Sequence, residues 1–237
     1  MIDELLQSVA QLRSDGQSFR RDALNATDNA EGERLFKSAA DTYQKAISIL
    51  ERGLRTIRRH QDGYTNDVCR LLEPLSQTYG SLGGTWRDAK RFDLAQEFYD
   101  RGNDYEEERR KYCGAKESYN LLQRLIVRLL EDPGRVHEHD FITKLNLVRE
   151  EIQRQVDHGR DDSWALADLA EARFLCGYDA DEAIRDLEQR PAAATFFESA
   201  YKGITALLSE GLGRGDVLGE RLELFKRLLQ RKGGIKS

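Results

Sequence analysis

The sequence predicts an all-α fold. Three observations carry that reading. Apolar residues recur at three- and four-residue spacing along most of the chain, no segment alternates with β-branched enrichment, and only 3 of 237 residues are proline. Hydrophobic residues make up 39% and charged residues 33%. The chain is therefore apolar enough to bury a core and too charged for a membrane protein.

The first clear stripe is Ala39, Tyr43, Ala46, Ile47, Leu50, Leu54 and Ile57. Leu121, Leu122, Leu125, Ile126, Leu129 and Leu130 form a wider one, with Arg124, Arg128 and Glu131 off it. Phe141, Leu145, Val148, Ile152 and Val156 form a third. Breaks are expected at 25–32, 61–65, 132–134, 157–162 and 211–215, where glycine, proline, asparagine and aspartate gather. Pro133 and Gly134 stop one long helix, and 135–140 reads as a short linker. The expectation is one helical domain over 1–237, arranged as lobes 1–134 and 140–237, with a frayed tail at 233–237.

The net charge is −5, which disfavours nucleic acid as a partner. Only the last stretch is basic, with Arg221, Lys226, Arg227, Arg231, Lys232 and Lys236 against Glu220 and Glu223. It reads as a solvated helix whose cations suit its C-terminal dipole. Cys69, Cys113 and Cys176 form no C-x-x-C pair and read as small core residues, which fits a reducing cytoplasm. Asp3 and Glu4 stand where a secretory leader would carry cations. The long uncharged segment from Pro74 to Trp86 is mostly polar, so no membrane span is expected.

Chemistry-bearing motifs are sparse. His137-Glu138-His139-Asp140 holds two histidines whose spacing sends them to opposite sides, so it reads as linker and helix cap rather than a metal site. His60 and His158 read as surface histidines at helix ends. Gly211-Leu212-Gly213-Arg214-Gly215 follows a helical segment and lacks the lysine ending of a phosphate loop, so it reads as a turn. No catalytic, metal or cofactor-binding residues are expected, and no enzyme activity.

The clearest internal unit is Tyr79-x-x-Leu82-Gly83-x-x-Trp86, followed by Phe92, Ala95, Tyr99 and Gly102. It resembles the tetratricopeptide repeat (TPR), a helical hairpin. In that pattern Tyr79, Leu82 and Trp86 form one packing stripe, Gly83 and Ala95 let the helices approach, and Tyr99 fills the groove between them. Asp93, with Gln96 three residues on, reads as the cap of the second helix. Phe174, Ala183 and Leu187 repeat the spacing of Trp86, Ala95 and Tyr99, with Asp179 and Glu182 as the capping pair. Ala46, Leu50 and Gly53 echo the second-helix half. The reading is a TPR-like array of antiparallel hairpins, an α-solenoid.

The stretch 164–172, then Gly177, Glu182-Ala183 and Phe197-Glu198-Ser199, resembles the TPR-type TRAF-binding region of apoptosis-signal-regulating kinases and related bacterial conflict-system proteins. Tyr119 to Leu125 and Asp132-Pro133 fit its middle segment. The resemblance implies a non-catalytic sensor or regulatory module that controls a separate effector in bacterial defence or stress signalling. The partner implied is another protein or peptide, or a second copy of the chain. A TPR array binds through the inner face of its first helices, which here presents Gln77, Ser81, Gly84, Arg87 and Asp88. The small Gly80 and Gly84 disfavour a charged chaperone-tail clamp and suit a groove that accepts a helix. Two other classes remain open at this level: a regulatory subunit binding a small, nucleotide-like ligand between helices, and an enzyme with an unrecognised all-α site.

Overall fold

The computed structural model describes residues 2–60, 66–114, 118–157, 163–178, 181–189, 193–213, 215 and 217–235; at 60, 163, 164, 183, 187, 193–195, 199 and 217 it describes the backbone alone. The expected breaks at 61–65 and 158–162 lie outside the described residues, as do Asp179, His158, Arg214 and Lys236. The regular elements are α1 (Ile2–Asn25), α2 (Asn29–His60), α3 (Asn66–Asp88), α4 (Phe92–Cys113), α5 (Tyr119–Glu131), a 3-10 turn (Pro133–His137), α6 (His139–Asp157), α7 (Ser163–Leu175), α8 (Asp181–Glu188), α9 (Ala193–Ser209) and α10 (Val217–Gly233). No strand occurs among the described residues, and no helix among them is long and apolar enough to cross a membrane.

The chain divides into two compact units, 1–116 and 117–237. The segment expected to link two lobes is instead the 3-10 turn and the first residues of α6, inside the second unit. Pro133 and Gly134 do stop α5. However, the Asp132 carboxylate accepts the Gly134 amide at 3.1 Å, and Val136 is buried, so the chain re-enters a helix at once.

In the first unit α1 pairs with α2 across the short break 26–28. There the Asp28 side chain accepts the Ala30 amide at 3.1 Å. The α2 stripe is buried from Ala39 to Leu54, and Ile57 packs against it. α3 and α4 form the next pair. Three contacts fix their register: Gly83 against Tyr99, Glu73 against Arg109 and Cys69 against Cys113. Each step down α3 is matched by an equal step up α4, so the pair is antiparallel along its length. The Asp3–Arg70 and Arg20–Asp88 pairs rise together, so α1 runs parallel to α3.

α3 is buried on nearly every side. Leu71, Leu72, Leu75, Tyr79 and Leu82 fill the core, while Ser76, Thr78, Gly80, Gly83, Gly84 and Thr85 are buried too. Each buried serine or threonine hydroxyl of α3 is satisfied by its own helix. Ser76 donates to the Glu73 carbonyl at 3.0 Å, Thr78 to that of Pro74, and Thr85 to that of Ser81 at 2.9 Å. A Cβ on Gly83 would lie 2.9 Å from the Tyr99 ring, which is fully buried. The close approach at Gly83 is therefore to Tyr99, and Ala95 is buried beside it, 0% exposed.

Two local expectations are corrected. α4 begins at Phe92 with Arg91 as its first flanking residue, so Asp93 lies inside the first turn, paired with Arg91 at 3.8 Å, and caps nothing. Lys90 takes a left-handed φ of 57° and the Arg91 amide bonds back to the Trp86 carbonyl, closing the hairpin two residues before the expected cap. Cys69 and Cys113 are not free core residues. They form a disulfide with Cα atoms 5.8 Å apart, and only Cys176 is a free thiol. Linking residues 44 apart is worth about 4 kcal/mol in loop entropy. Cysteine usage therefore gives no argument for a reducing compartment.

In the second unit α7 lies at the centre, touching α5, α6, α8, α9 and α10. Ala165 to Ala172 are all buried, including Asp168 and Glu171. Phe174 stacks on Phe225 of α10 with ring centroids 3.7 Å apart. The side chains of Trp164, Ala183 and Leu187 lie outside the described ones. α10 ends at Gly233; Gly234 turns left-handed at φ 62° and the Ile235 amide bonds the Gln230 carbonyl, which caps the helix, while the last two residues of the expected tail, 236–237, lie outside the described residues.

We expect Gly83→Ala to lower the melting temperature. The gain of about 1 kcal/mol in helix propensity is outweighed by overpacking against a ring that cannot retreat, typically about 1–3 kcal/mol. Chemical denaturation monitored by circular dichroism checks this; a variant as stable as the parent would mean the α3–α4 approach is looser than described.

Candidate functional site

The five residues expected to line a partner groove sit in one row along α3, and the structure shows what faces them. At the first-turn end Glu73 pairs with Arg109 of α4 at 2.9 Å, and Gln77 donates to Glu73 at 3.4 Å. Ser81 donates to the Gln77 carbonyl at 3.0 Å and lies near the Tyr43 hydroxyl of α2. At the far end Arg20 of α1 pairs with Asp88 at 2.6 Å, and Arg87 approaches the same carboxylate at 3.2 Å.

Gly84 is buried beneath Arg20: a Cβ there would lie 2.8 Å from a guanidinium nitrogen. The small residue is thus explained within the chain. α1 lays an arginine across it, and no external partner is needed to account for it. The face expected to be an open groove is occupied at Gly84 and Asp88 by α1, while Gln77 and Ser81 remain part-exposed.

α1 contributes a matched set to this row. Arg13, Gly16 and Arg20 lie on one face of α1. The Tyr43 ring rests on Gly16, where a Cβ would fall 2.9 Å from it. Burial raises the Tyr43 hydroxyl above its ordinary pKa, against the opposing pull of Arg20 and Arg13. Burial also lowers the pKa of Arg13, which stands in the field of Tyr43 and Glu73. For Asp88, burial pushes the pKa up, but Arg20 and Arg87 outweigh it and hold the carboxyl below its usual value.

Sequence reasoning missed a second cluster. The hydroxyls of Tyr79 and Tyr105 both donate to one oxygen of Glu51, at 2.8 and 3.3 Å, and their rings stack 5.6 Å apart. Burial and the Glu51 carboxylate push both hydroxyls up, that of Tyr105 to about 12. Both are protonated near neutral pH, which makes them donors to Glu51 and not bases. Burial likewise pushes the Cys176 thiol up to about 11, so it is no ready nucleophile.

The run from His137 to Asp140 spans two elements. His137 ends the 3-10 turn while His139 and Asp140 open α6. Among the described residues no group of three or more His, Cys, Asp or Glu side chains is arranged to hold a metal ion. The glycine-rich loop packs backbone to backbone: a Cβ on Gly219 would lie 2.0 Å from the Gly213 oxygen. Its neighbouring recess is lined by Glu220 and Glu223 as well as Arg227, a poor match for phosphate. Three cations of the basic C-terminal helix meet partners within the chain. Arg221 donates to the Gly177 carbonyl at 3.4 Å, Lys232 pairs with Glu188, and Lys226 sits 6.0 Å from the Tyr201 ring centre. A shallow groove runs between α1 and α2, lined by Leu12, Asp41, Gln44, Lys45, Ser48, Ile49 and Arg52.

Compared with protein-family models, curated proteins and solved structures, the chain matches none.

We expect Asp88→Asn to destabilise the first unit by about 1–3 kcal/mol at pH 7, because charged hydrogen bonds to Arg20 and Arg87 are lost. The Asp88 pKa is lower folded than unfolded, so its contribution is present above pH about 4 and disappears as pH falls through the folded value. Denaturation curves of parent and variant at pH 7 and pH 2.5 check this: the gap should shrink at the lower pH. A gap independent of pH would assign the loss to packing instead of charge.

Proposed function

We propose that this protein is a non-catalytic, TPR-like helical module that binds another polypeptide and regulates a partner. The observation that carries the reading is the α1–α4 arrangement. Two antiparallel hairpins stand side by side with α1 parallel to α3, and they are joined by small residues at Gly16, Gly53, Gly83 and Gly84. That is the packing logic of stacked hairpin repeats, in which first helices line one face. Support also comes from the titratable groups. The shifted tyrosines, Asp88 and Cys176 are engaged in bracing the fold or held in their unreactive form. The α1–α3 face, where Arg13, Gln77 and Ser81 remain part-exposed between paired charges, is the surface we assign to the partner.

Arg13→Ala combined with Gln77→Ala tests the assignment. Both side chains are part-exposed and neither holds the core, so the melting temperature should move by no more than about 2 °C. Affinity capture from the native host with parent and variant baits should then show one polypeptide retained by the parent and reduced at least about tenfold on the variant. Equal capture by a well-folded variant would remove this face from the proposal.

A further inference from the structure

We infer that Cys69 and Cys113 form a reversible dithiol–disulfide site that latches the last turn of α4 onto the start of α3. This inference is independent of the partner-binding reading. The bond sits at the open end of the α3–α4 hairpin, opposite the 89–91 turn, and both cysteines are part-exposed and not sealed in the core, the setting that thiol–disulfide exchange needs.

What the bond holds is an end and not the core. One turn further in, Arg109 is 7% exposed and paired with Glu73 at 2.9 Å. Beyond it, Lys111 is exposed and Tyr112 is 42% exposed, while Cys113 packs against the core. Leu71, Leu75, Tyr79, Leu82 and Tyr99 hold α3 and α4 together without the sulfurs. Breaking the bond therefore releases a short segment from a unit that stays folded, which gives a two-state element rather than a scaffold.

The exchange balances. One thiolate of the dithiol attacks a sulfur of the pair and forms a mixed disulfide. The second thiol displaces it. Cys69 and Cys113 leave as two thiols carrying the two protons and two electrons, and the dithiol becomes a disulfide.

The released turn carries its own reporter, because Arg110 and Lys111 are trypsin sites that an intact helix protects. The whole chain is treated with oxidised or reduced dithiothreitol, and part of each sample is alkylated in denaturant. The oxidised form should show one free thiol and the reduced form three. Limited trypsinolysis should cut after Arg110 and Lys111 at least about tenfold faster in the reduced form, with helical circular dichroism retained and re-oxidation restoring protection. Cys69→Ser with Cys113→Ser should cut at the fast rate whatever the reductant. Equal cleavage of both forms, three free thiols under oxidising conditions, or loss of the helical signal on reduction would each overturn the latch.

Discussion

The first unit depends on how closely α3 can be surrounded. Packed helix axes lie about 8–10 Å apart, the distance being set by the side chains at the contact. α3 presents Gly83 to Tyr99 of α4 and Gly84 to Arg20 of α1, while α2 closes on its remaining face through the Leu71 contact at Gly53. Burial of a helix on three sides leaves no water for its small polar side chains. Ser76, Thr78 and Thr85 meet that constraint by bonding carbonyls of their own helix. Serine, threonine and glycine weaken an isolated helix, yet here they are what allow three neighbours to pack on it.

Charge follows from the same arrangement. Arginines of α1 and α4 reach the two ends of the α3 polar row, Arg20 to Asp88 and Arg109 to Glu73. The Asp88 pair is partly desolvated, so its attraction is less screened than that of a surface pair. Tyr79 and Tyr105 brace Glu51 in the same spirit, joining α2 to α3 and α4 through one carboxylate oxygen. Polar side chains that read on paper as a binding face are in good part the fastenings between neighbouring helices. What remains part-exposed, Arg13, Gln77 and Ser81, is narrower than the row itself.

The absence of any matching family or structure leaves architecture and chemistry to carry the functional reading. The Tyr79 and Tyr105 hydroxyls are held protonated as donors to Glu51, burial keeps the Cys176 thiol protonated, and Arg20 and Arg87 hold the Asp88 carboxylate ionised. The disulfide is the one covalent feature, and it ties the end of a helix rather than lining a recess.

The helices themselves were determined by the sequence alone. Period-3.6 stripes such as Ala39 to Leu54 and Phe141 to Ile152 are buried as read, because a one-sided apolar pattern has only one way to leave water. The Gly83 approach was legible too, and with it more than was drawn. Gly83 and Tyr99 are equidistant from the hairpin turn, and so are Cys69 and Cys113, so extending that register would have paired the sulfurs. Only tertiary structure decided what covers Gly84, which carboxylates are held, and where the chain divides. Arg20 lies 68 residues from Asp88, and Tyr105 54 from Glu51. Nothing local in a sequence distinguishes an arginine aimed at solvent from one that folding brings over a distant glycine, because that choice belongs to the packing of helices and not to their formation.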